Sequence, residues 1–283
     1  MIALIILSFF VSAIAVQLFM RRARRHARRY GADMPQRFHK GHVPRLGGAG
    51  IMLGMSAAWL GAGLIEPLNI AWPLKSSMLT LVCILPAVLG GIVEDVTQQV
   101  KVRYRLGLTI GSALLVCWVQ GLGVARTGFE TLDGWLALLP YASLVFAALA
   151  IGGLPHAFNI IDGYNGLAGT VAVLVCLAIS HVALQLGDRQ LAAMVICLVG
   201  ATFGFLVWNY PRGKIFAGDG GAYVWGMVIA VACVTLVQRH RVVSPWFPML
   251  LLIYPVWETL FSIYRKLARG QSPGMADALH FHQ

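Results

Sequence analysis

Residues 158–170 read FNIIDGYNGLAGT and place Asn159, Asp162 and Asn165 between two long apolar runs. An ionised aspartate is costly near hydrocarbon, so such residues usually face a water-filled cavity, a metal or a partner. The three glycines of this stretch break the helix and allow a ligand to approach the backbone closely. We interpret Asp162 as a functional residue. On this stretch alone, an ordinary polar turn between two membrane spans is an equal alternative.

The composition is typical of a polytopic membrane protein, because 58% of the 283 residues are hydrophobic and 12% are charged. About 20 apolar residues suffice to cross roughly 30 Å of hydrocarbon. Such windows can be placed at 2–20, 47–65, 78–93, 107–124, 135–153, 168–186, 190–208, 222–238 and 246–264. The sequence therefore predicts an all-α, polytopic transmembrane bundle of about nine spans, formed by one integral-membrane domain, residues 1–283.

The distribution of basic residues predicts the orientation. The first apolar segment lacks a basic region before it, which indicates a retained span rather than a cleaved signal peptide. If nine spans alternate, one side holds most of the 22 lysines and arginines, and the other side holds Lys75, Arg126, Arg189, Arg239 and Arg241. The positive-inside rule then makes the richer side cytoplasmic and puts the N-terminus outside.

The net charge of +11 comes largely from RRARRHARRY at 21–30. We attribute this run to topology and to attraction by anionic lipid head groups, and we expect no nucleic-acid partner because no soluble domain accompanies it. The five cysteines all fall within apolar spans, without a metal-binding spacing. They are interpreted as small apolar core residues without disulfides.

Two polar stretches carry basic residues that could contact phosphate. The first, RFHKGHVPRLGGAG at 37–50, contains Lys40, His42 and Arg45. Alternatively, these basic residues beside a turn only help to orient the chain in the membrane. The second follows Glu94 and Asp95 in GGIVEDVTQQVKVRYRL and contains Lys101, Arg103 and Arg105.

Glu94 and Asp95 are adjacent carboxylates, which repel each other and need a cation or a proton. The functional interpretation is that the pair binds a divalent metal or acts as a base, while the basic residues after it collect phosphates. The alternative is a charged helix end that is simply solvated.

A third polar stretch, NYPRGKIFAGDGGAYVWG at 209–226, sets Asp219 between two glycines at the start of a helix. This setting suits a magnesium ion that carries a phosphate. Asn209 begins the stretch. Phe216 offers a flat face on which a nucleotide base could stack; alternatively, it is an ordinary aromatic residue of the core. Glu258 lies well inside the ninth predicted span, so we expect it to face the bundle interior.

The acids Glu94, Asp95, Asp162, Asp219 and Asp277 all fall on the predicted cytoplasmic face. The acids could bind a metal, the basic residues could bind phosphate, and the aromatic residue could stack on a nucleotide base. This combination indicates an enzyme that joins a nucleotide-bound phosphate compound to a lipid.

On these motifs, from KGHVPRLGG through EDVTQQVK, NIIDGYNGLAG and NYPRGKIFAGDGG to DALHFHQ, the chain resembles the polyprenyl-phosphate N-acetylhexosamine-1-phosphate transferase family. The resemblance covers residues 37–283 in order. It implies transfer of a sugar 1-phosphate from a UDP-sugar to polyprenyl phosphate with Mg²⁺ or Mn²⁺ and release of UMP. It also implies a bacterial inner (plasma) membrane location, an active site on the cytoplasmic face and a role in cell-envelope polysaccharide synthesis, such as that of O-antigen.

The resemblance also assigns residues. Asp219 resembles the principal metal ligand, and Glu94 with Asp95 occupies the place of an aspartate pair. Asn159, Asp162 and Asn165 fall on a motif that usually ends in aspartate. Asn209 and Phe216 correspond to uridine contacts, and His280 and His282 to a histidine-rich terminal loop.

Three departures from the family pattern are Glu94 instead of Asp, Asn165 instead of Asp, and the length, since family members have ten or eleven spans. We expect Asp95 to matter more than Glu94, because an added methylene displaces a carboxylate from attack geometry. Asp95 is expected to act on the acceptor lipid phosphate, as a base, or in the outer shell of the metal, and not as a covalent nucleophile. The identity of the sugar stays open, as does the oligomeric state, a homodimer included.

Two other classes of membrane protein match the sequence less well than the transferase does. A secondary transporter would place its carboxylates near the bilayer midplane and often shows inverted repeats, whereas these acids lie at span ends and no repeat is visible. The CDP-alcohol phosphotransferases expect an alanine-arginine pair a few residues after the first Asp-Gly, where this chain has Tyr164 and Asn165.

Overall fold

The computed structural model describes residues 1–23, 43–64, 74–139 and 141–271, and within these ranges every regular element is an α-helix. The helices are α1 Ile2–Ala23, α2 Gly47–Leu64, α3 Leu74–Thr97, α4 Val102–Gln120, α5 Glu130–Leu138, α6 Ala142–Ile161, α7 Leu167–Gln185, α8 Arg189–Asn209, α9 Gly218–Arg239, α10 Trp246–Leu251 and α11 Ile253–Ala268. The predicted all-α class is confirmed.

Seven of these helices, α1, α3, α4, α6, α7, α8 and α9, are long and apolar enough to cross a membrane. Helix α2, of 18 residues, matches the second predicted span. The ninth predicted span is divided at Leu252 into α10 and α11, of 6 and 16 residues. The polytopic helical architecture therefore stands, while the count of nine spans, the orientation and the single domain stay predictions.

Two predicted boundaries were wrong in an informative way. The fifth predicted span began at 135, but a short helix ends at Leu138 and α6 begins at Ala142. Leu139 has an extended backbone, as expected for the residue before a proline. At its other end α6 continues to Ile161, so Asn159 lies on a helix rather than in the predicted loop. Hydropathy windows stop where polar residues begin, although the helix itself continues.

Helix α9 is the centre of the bundle. It is buried along almost its whole length and packs against α6, α3 and α2. Small residues allow this close approach: a Cβ on Gly48 of α2 would overlap the backbone nitrogen of Gly221, and one on Gly226 would overlap Pro155 of α6. A hydrogen bond also joins α9 to α8, since Trp225 Nε1 donates to Thr202 Oγ1 at 2.9 Å.

Helix α11 turns its polar side inward against α6. Its buried residues include Glu258, Ser262 and Lys266, whereas large apolar side chains such as Trp257 and Leu260 are exposed. The prediction that Glu258 faces the interior is confirmed. An apolar exterior and a polar interior are the pattern expected of a helix that contacts lipid.

Candidate active site

Charged and amide side chains from four helices, and from the segment before α2, meet at one end of the bundle. Helices α2, α4 and α9 begin there, and α3 and α6 end there. Consequently Arg45 before α2, Asp95 on α3, Arg105 on α4, Asn159 on α6 and Asp219 on α9 converge, although they are far apart in sequence. We call these five residues the acid–arginine cluster.

Asp95 anchors the start of α9. Its Oδ1 accepts the backbone N–H of Asp219 at 2.9 Å, and its Oδ2 accepts that of Gly220 at 2.9 Å. The first N–H groups of a helix have no partner within the helix, and a carboxylate there is favoured by the helix dipole. Gly218, with φ of +71°, brings the backbone so close that a Cβ would overlap the Asp95 oxygens. The AGDGG sequence thus fits its glycines around a buried carboxylate.

Asp219 is itself buried and receives donors on both oxygens. Asn159 Nδ2 donates to Oδ1 at 2.6 Å, and Arg105 Nη1 donates to Oδ2. Arg45 bridges the two aspartates, with Nε 3.6 Å from Asp95 Oδ1 and Nη2 3.7 Å from Asp219 Oδ1. Two guanidinium groups therefore compensate two buried carboxylates, which is the condition for keeping such charges in the interior.

Glu94 lies at the edge of the cluster. Its Oε1 is 3.9 Å from Arg105 Nη1, and its Oε2 accepts the backbone N–H of Val100 at 2.7 Å. This hydrogen bond closes the turn after α3. Glu94 is more exposed than Asp95, and within the described ranges its one contact to the cluster is that to Arg105.

Asp162 ends α6 beside the cluster and is half-buried. Burial among protein atoms is the largest cause that raises its pKa, to about 7. Arg45 opposes this shift, and Asp219 adds to it. Asp162 is therefore near its titration point at neutral pH, unlike an ordinary surface aspartate.

A second layer of polar residues supports Asp219 from within the bundle. Tyr223 lies one turn further along α9, with its hydroxyl 3.5 Å from Asp219 Oδ2. His156 packs edge-on against the Tyr223 ring at 5.4 Å, and its Nε2 lies 3.0 Å from Thr109 Oγ1. These residues support the Asp219 carboxylate from the inner side of the bundle.

The segment between α8 and α9 is tied down by amide side chains. Asn209 Oδ1 accepts the Gly166 N–H at 2.7 Å, and its Nδ2 donates to the Ile215 carbonyl at 2.9 Å. Asn165 Nδ2 donates to the Pro211 carbonyl at 3.0 Å. Both groups of the buried Asn209 are thus used within the protein, and the half-exposed Phe216 follows in the same segment.

The remaining predicted site residues lie outside the cluster or outside the described residues. Lys101 and Arg103 are exposed, and the Arg103 guanidinium lies over the Tyr104 ring at 4.9 Å. Lys40, His42, His280 and His282 fall in ranges that the structure does not describe, as does Asp277.

Sequence reasoning placed Arg105 with Lys101 and Arg103 among the basic residues that could contact phosphate. It did not predict that Arg105, unlike the other two, contacts Asp219. Tyr223 and Thr109 carried no signal in the sequence because they are isolated polar residues within apolar helices.

The donor set of the cluster suits one mode of magnesium binding. Among the residues described, no three His, Cys, Asp or Glu side chains gather as a metal site. Mg²⁺ in phosphate-transfer sites, however, takes one or two carboxylates and completes its shell with waters and substrate phosphates. Asp219, a buried carboxylate contacted by arginines that could also contact phosphate, fits that arrangement and does not fit a cage of protein ligands.

A buried pair of carboxylates with two arginines lies at one end of a bundle of membrane-length helices, and such a cluster marks a candidate enzyme site in a membrane protein. Comparison with known sequences agrees, because the sequence model of glycosyl transferase family 4 matches residues 77–237. The chain belongs to this family and is a multi-pass membrane transferase.

Individual relatives are similar over most of the chain. A probable undecaprenyl-phosphate N-acetylglucosaminyl 1-phosphate transferase of Bacillus subtilis is 26% identical, covering 98% of this chain and 76% of the relative. The undecaprenyl-phosphate alpha-N-acetylglucosaminyl 1-phosphate transferase of Escherichia coli K12 is 25% identical over 94% and 72%. A phospho-N-acetylmuramoyl-pentapeptide-transferase of Moorella thermoacetica is 28% identical over 73% and 64%.

Proposed function

We propose that this protein transfers an N-acetylhexosamine 1-phosphate from a UDP-sugar to polyprenyl phosphate and releases UMP. The observation that carries the proposal is the acid–arginine cluster, in which Arg45 and Arg105 surround the buried Asp95 and Asp219. The names of the relatives supply the substrate class, since those from B. subtilis and E. coli are N-acetylglucosaminyl 1-phosphate transferases acting on undecaprenyl phosphate.

In the proposed reaction, an oxygen of the lipid phosphate attacks the phosphorus that carries the sugar. The bond from that phosphorus to the bridging oxygen breaks, and UMP leaves with this oxygen. A phosphate monoester has its second pKa near 6, so the attacking group is largely ionised at neutral pH and at most needs to lose its last proton. Asp95, Glu94 and Asp162 are the candidate groups for that proton, with Asp95 favoured as base from its match to the family motif.

The arginines supply the charge that this reaction needs. Three phosphate groups meet in the transition state, and positioned cations stabilise the charge that develops there. Arg105 Nε is buried and has no hydrogen-bond partner among the described residues, so this side chain retains a donor that Asp219 does not use. Asp219 holds Arg105 in place, and Asn159 fixes the other Asp219 oxygen.

Asp219 is also the residue proposed to hold Mg²⁺ or Mn²⁺. When bound, such an ion would neutralise the diphosphate of the sugar nucleotide. Asn165, Asn209 and Phe216, with Lys101 and Arg103, are proposed to form the surrounding substrate surface. For Asn209 that role is indirect, because its amide holds the segment that carries Phe216.

The membrane location follows from the same proposal. We infer a bacterial inner membrane, an active site on the cytoplasmic face and a step in cell-envelope polysaccharide synthesis. A secondary transporter is the weaker alternative, because the acids lie at helix ends and are already compensated by arginines.

Product analysis with a panel of sugar nucleotides tests the proposal. Purified protein is incubated with polyprenyl phosphate, Mg²⁺ and individual UDP-N-acetylhexosamines, and the lipid fraction is examined by mass spectrometry. We expect a polyprenyl diphosphate-linked sugar with one donor and an equal amount of UMP. The absence of a lipid product with every donor, from a folded protein, would refute the proposal.

A further inference from the structure

A polar cavity of about 430 Å³ lies at the opposite end of the bundle from the acid–arginine cluster. It is formed where α3 begins and where α4 and α9 end. Its polar lining consists of Lys75, Ser76, Gln120, Thr235, Gln238 and Arg239. Aliphatic side chains of α3 and α4 complete the wall. We call this space the distal cavity.

The distal cavity is separate from the candidate active site. Lys75 and Asp95 both lie on α3, 20 positions apart, and Arg239 and Asp219 lie on α9 at the same spacing. At a rise of 1.5 Å per residue, about 30 Å separates the two ends, which is the thickness of the hydrocarbon core. A ligand of the distal cavity would therefore be near the other membrane surface.

Several polar groups in the distal cavity have no partner within the described protein. The Lys75 ammonium makes no ion pair with any described carboxylate, and the Ser76 and Thr235 hydroxyls make no hydrogen bond to a described residue. Gln120 and Gln238 are different, because each amide is tied to a neighbouring helix. Gln120 Nε2 donates to Thr80 Oγ1 at 2.7 Å, and Gln238 Nε2 donates to the Gly121 carbonyl at 2.9 Å.

Arg239 adds a second cation, which already forms an ion pair with Asp188. Its Nη1 lies 3.2 Å from Asp188 Oδ2, and His240 Nε2 lies 3.1 Å from the same oxygen. Among the described residues, the cavity therefore combines one cation without an ion pair, one paired cation and two hydroxyls without a hydrogen bond, and no described carboxylate lines it.

From this lining we infer that the distal cavity binds an anionic phosphate ester. The ammonium and hydroxyl donors of the lining match phosphate oxygens, and its aliphatic side chains match the carbon portion of an ester. Two sources share this chemistry, namely the head group of an anionic phospholipid and a soluble phosphate ester. The inference does not depend on the proposed transferase reaction, because no residue of the acid–arginine cluster takes part.

Native mass spectrometry of the full chain tests the inference and separates the two sources. Protein released from nanodiscs that contain phosphatidylglycerol is examined for retained lipid, and detergent-purified protein is titrated with glycerol 1-phosphate. Retained phosphatidylglycerol would identify a lipid head group, and saturable glycerol 1-phosphate binding would identify a soluble ester. Either result supports the site if the variants below weaken binding.

The variants are Lys75→Gln and Thr235→Val, with Arg189→Gln as the matched control. Arg189 is an exposed cation at the same end of the bundle and does not line the cavity. We expect Lys75→Gln to weaken binding about tenfold, the effect of losing one charge-assisted hydrogen bond. Thr235→Val should weaken it less, and Arg189→Gln should leave it unchanged. Binding of neither ligand to the wild type, or equal loss in Arg189→Gln, would overturn the inference.

Discussion

The Asp95 carboxylate accepts the backbone N–H of Asp219 at 2.9 Å, and this hydrogen bond joins the end of α3 to the start of α9. With the second bond to Gly220, it fixes the turn from which the Asp219 side chain projects. Asp95 therefore has a positioning role that its place in the sequence does not reveal. This role accompanies the proposed role of Asp95 as a base, and the two make different predictions.

Asp95→Asn should loosen the first turn of α9. An amide offers one oxygen in place of two, and its NH₂ group would face a backbone N–H, which leaves a buried donor unsatisfied at a cost of about 1–3 kcal/mol. We expect faster hydrogen exchange at residues 219 and 220 together with lost turnover. If exchange there is unchanged while turnover is lost, Asp95 acts through its proton chemistry alone.

Glu94→Gln should be milder than Asp95→Asn. Gln keeps an oxygen that can accept the Val100 N–H and gives up only the distant contact to Arg105. A partly exposed ion pair of this kind is worth about 0–1 kcal/mol. Turnover numbers of the two variants, measured under identical conditions, show which substitution causes the greater loss. A greater loss in Glu94→Gln would show that the base is Glu94.

Asp219→Asn should reduce turnover at least about 100-fold, since loss of an outer-shell partner of a metal already costs roughly 10–100-fold. The variant also leaves Arg105 without its main counter-charge, which lowers stability. The double variant Asp219→Asn with Arg105→Gln removes both charges. It should regain thermal stability without regaining turnover, whereas recovery of both would remove Asp219 from the chemistry.

Asp162 should make stability depend on pH between about pH 4 and 7. Its pKa of about 7 in the folded protein exceeds the usual value near 3.9, so the folded state favours the protonated form. Its contribution to stability is then fully present below about pH 4 and is lost as the pH rises through 7. The wild type should lose thermal stability between about pH 4 and 7 relative to Asp162→Asn, and the difference should level off above about pH 8. Parallel curves for the two proteins would argue against the raised pKa.

The predicted orientation can be checked with single cysteines and an impermeant thiol reagent added outside intact cells. The five native cysteines are buried and should not react with the reagent. Gln99→Cys and Arg212→Cys are exposed positions at the end of the acid–arginine cluster and should not be labelled. Val242→Cys, 79% exposed as wild-type valine at the opposite end, should be labelled. The reverse pattern would invert the topology and move the site to the other face.

The sequence predicted the helical class and four of the acids that flank the site because hydropathy and isolated intramembrane charges are local signals. Which side chains contact each other is decided by helix packing, and that is not visible in a local stretch of sequence. Arg105 reaches Asp219 only because α4 begins where α9 begins, and Asp95 reaches the Asp219 backbone only because glycines let α3 and α9 approach. The end of α6 was misplaced for a related reason, since Asn159 continues a helix that its polarity appeared to end.

UMP release with and without polyprenyl phosphate tests the central claim most directly. Enzyme stripped of lipid is supplied with UDP-sugar and Mg²⁺, and UMP is counted per protein before and after polyprenyl phosphate is added. Direct attack by the lipid phosphate predicts no UMP before addition, then UMP and lipid-linked sugar in equal amounts. A burst of about one UMP per protein before lipid arrives, with sugar phosphate retained on the enzyme, would contradict it.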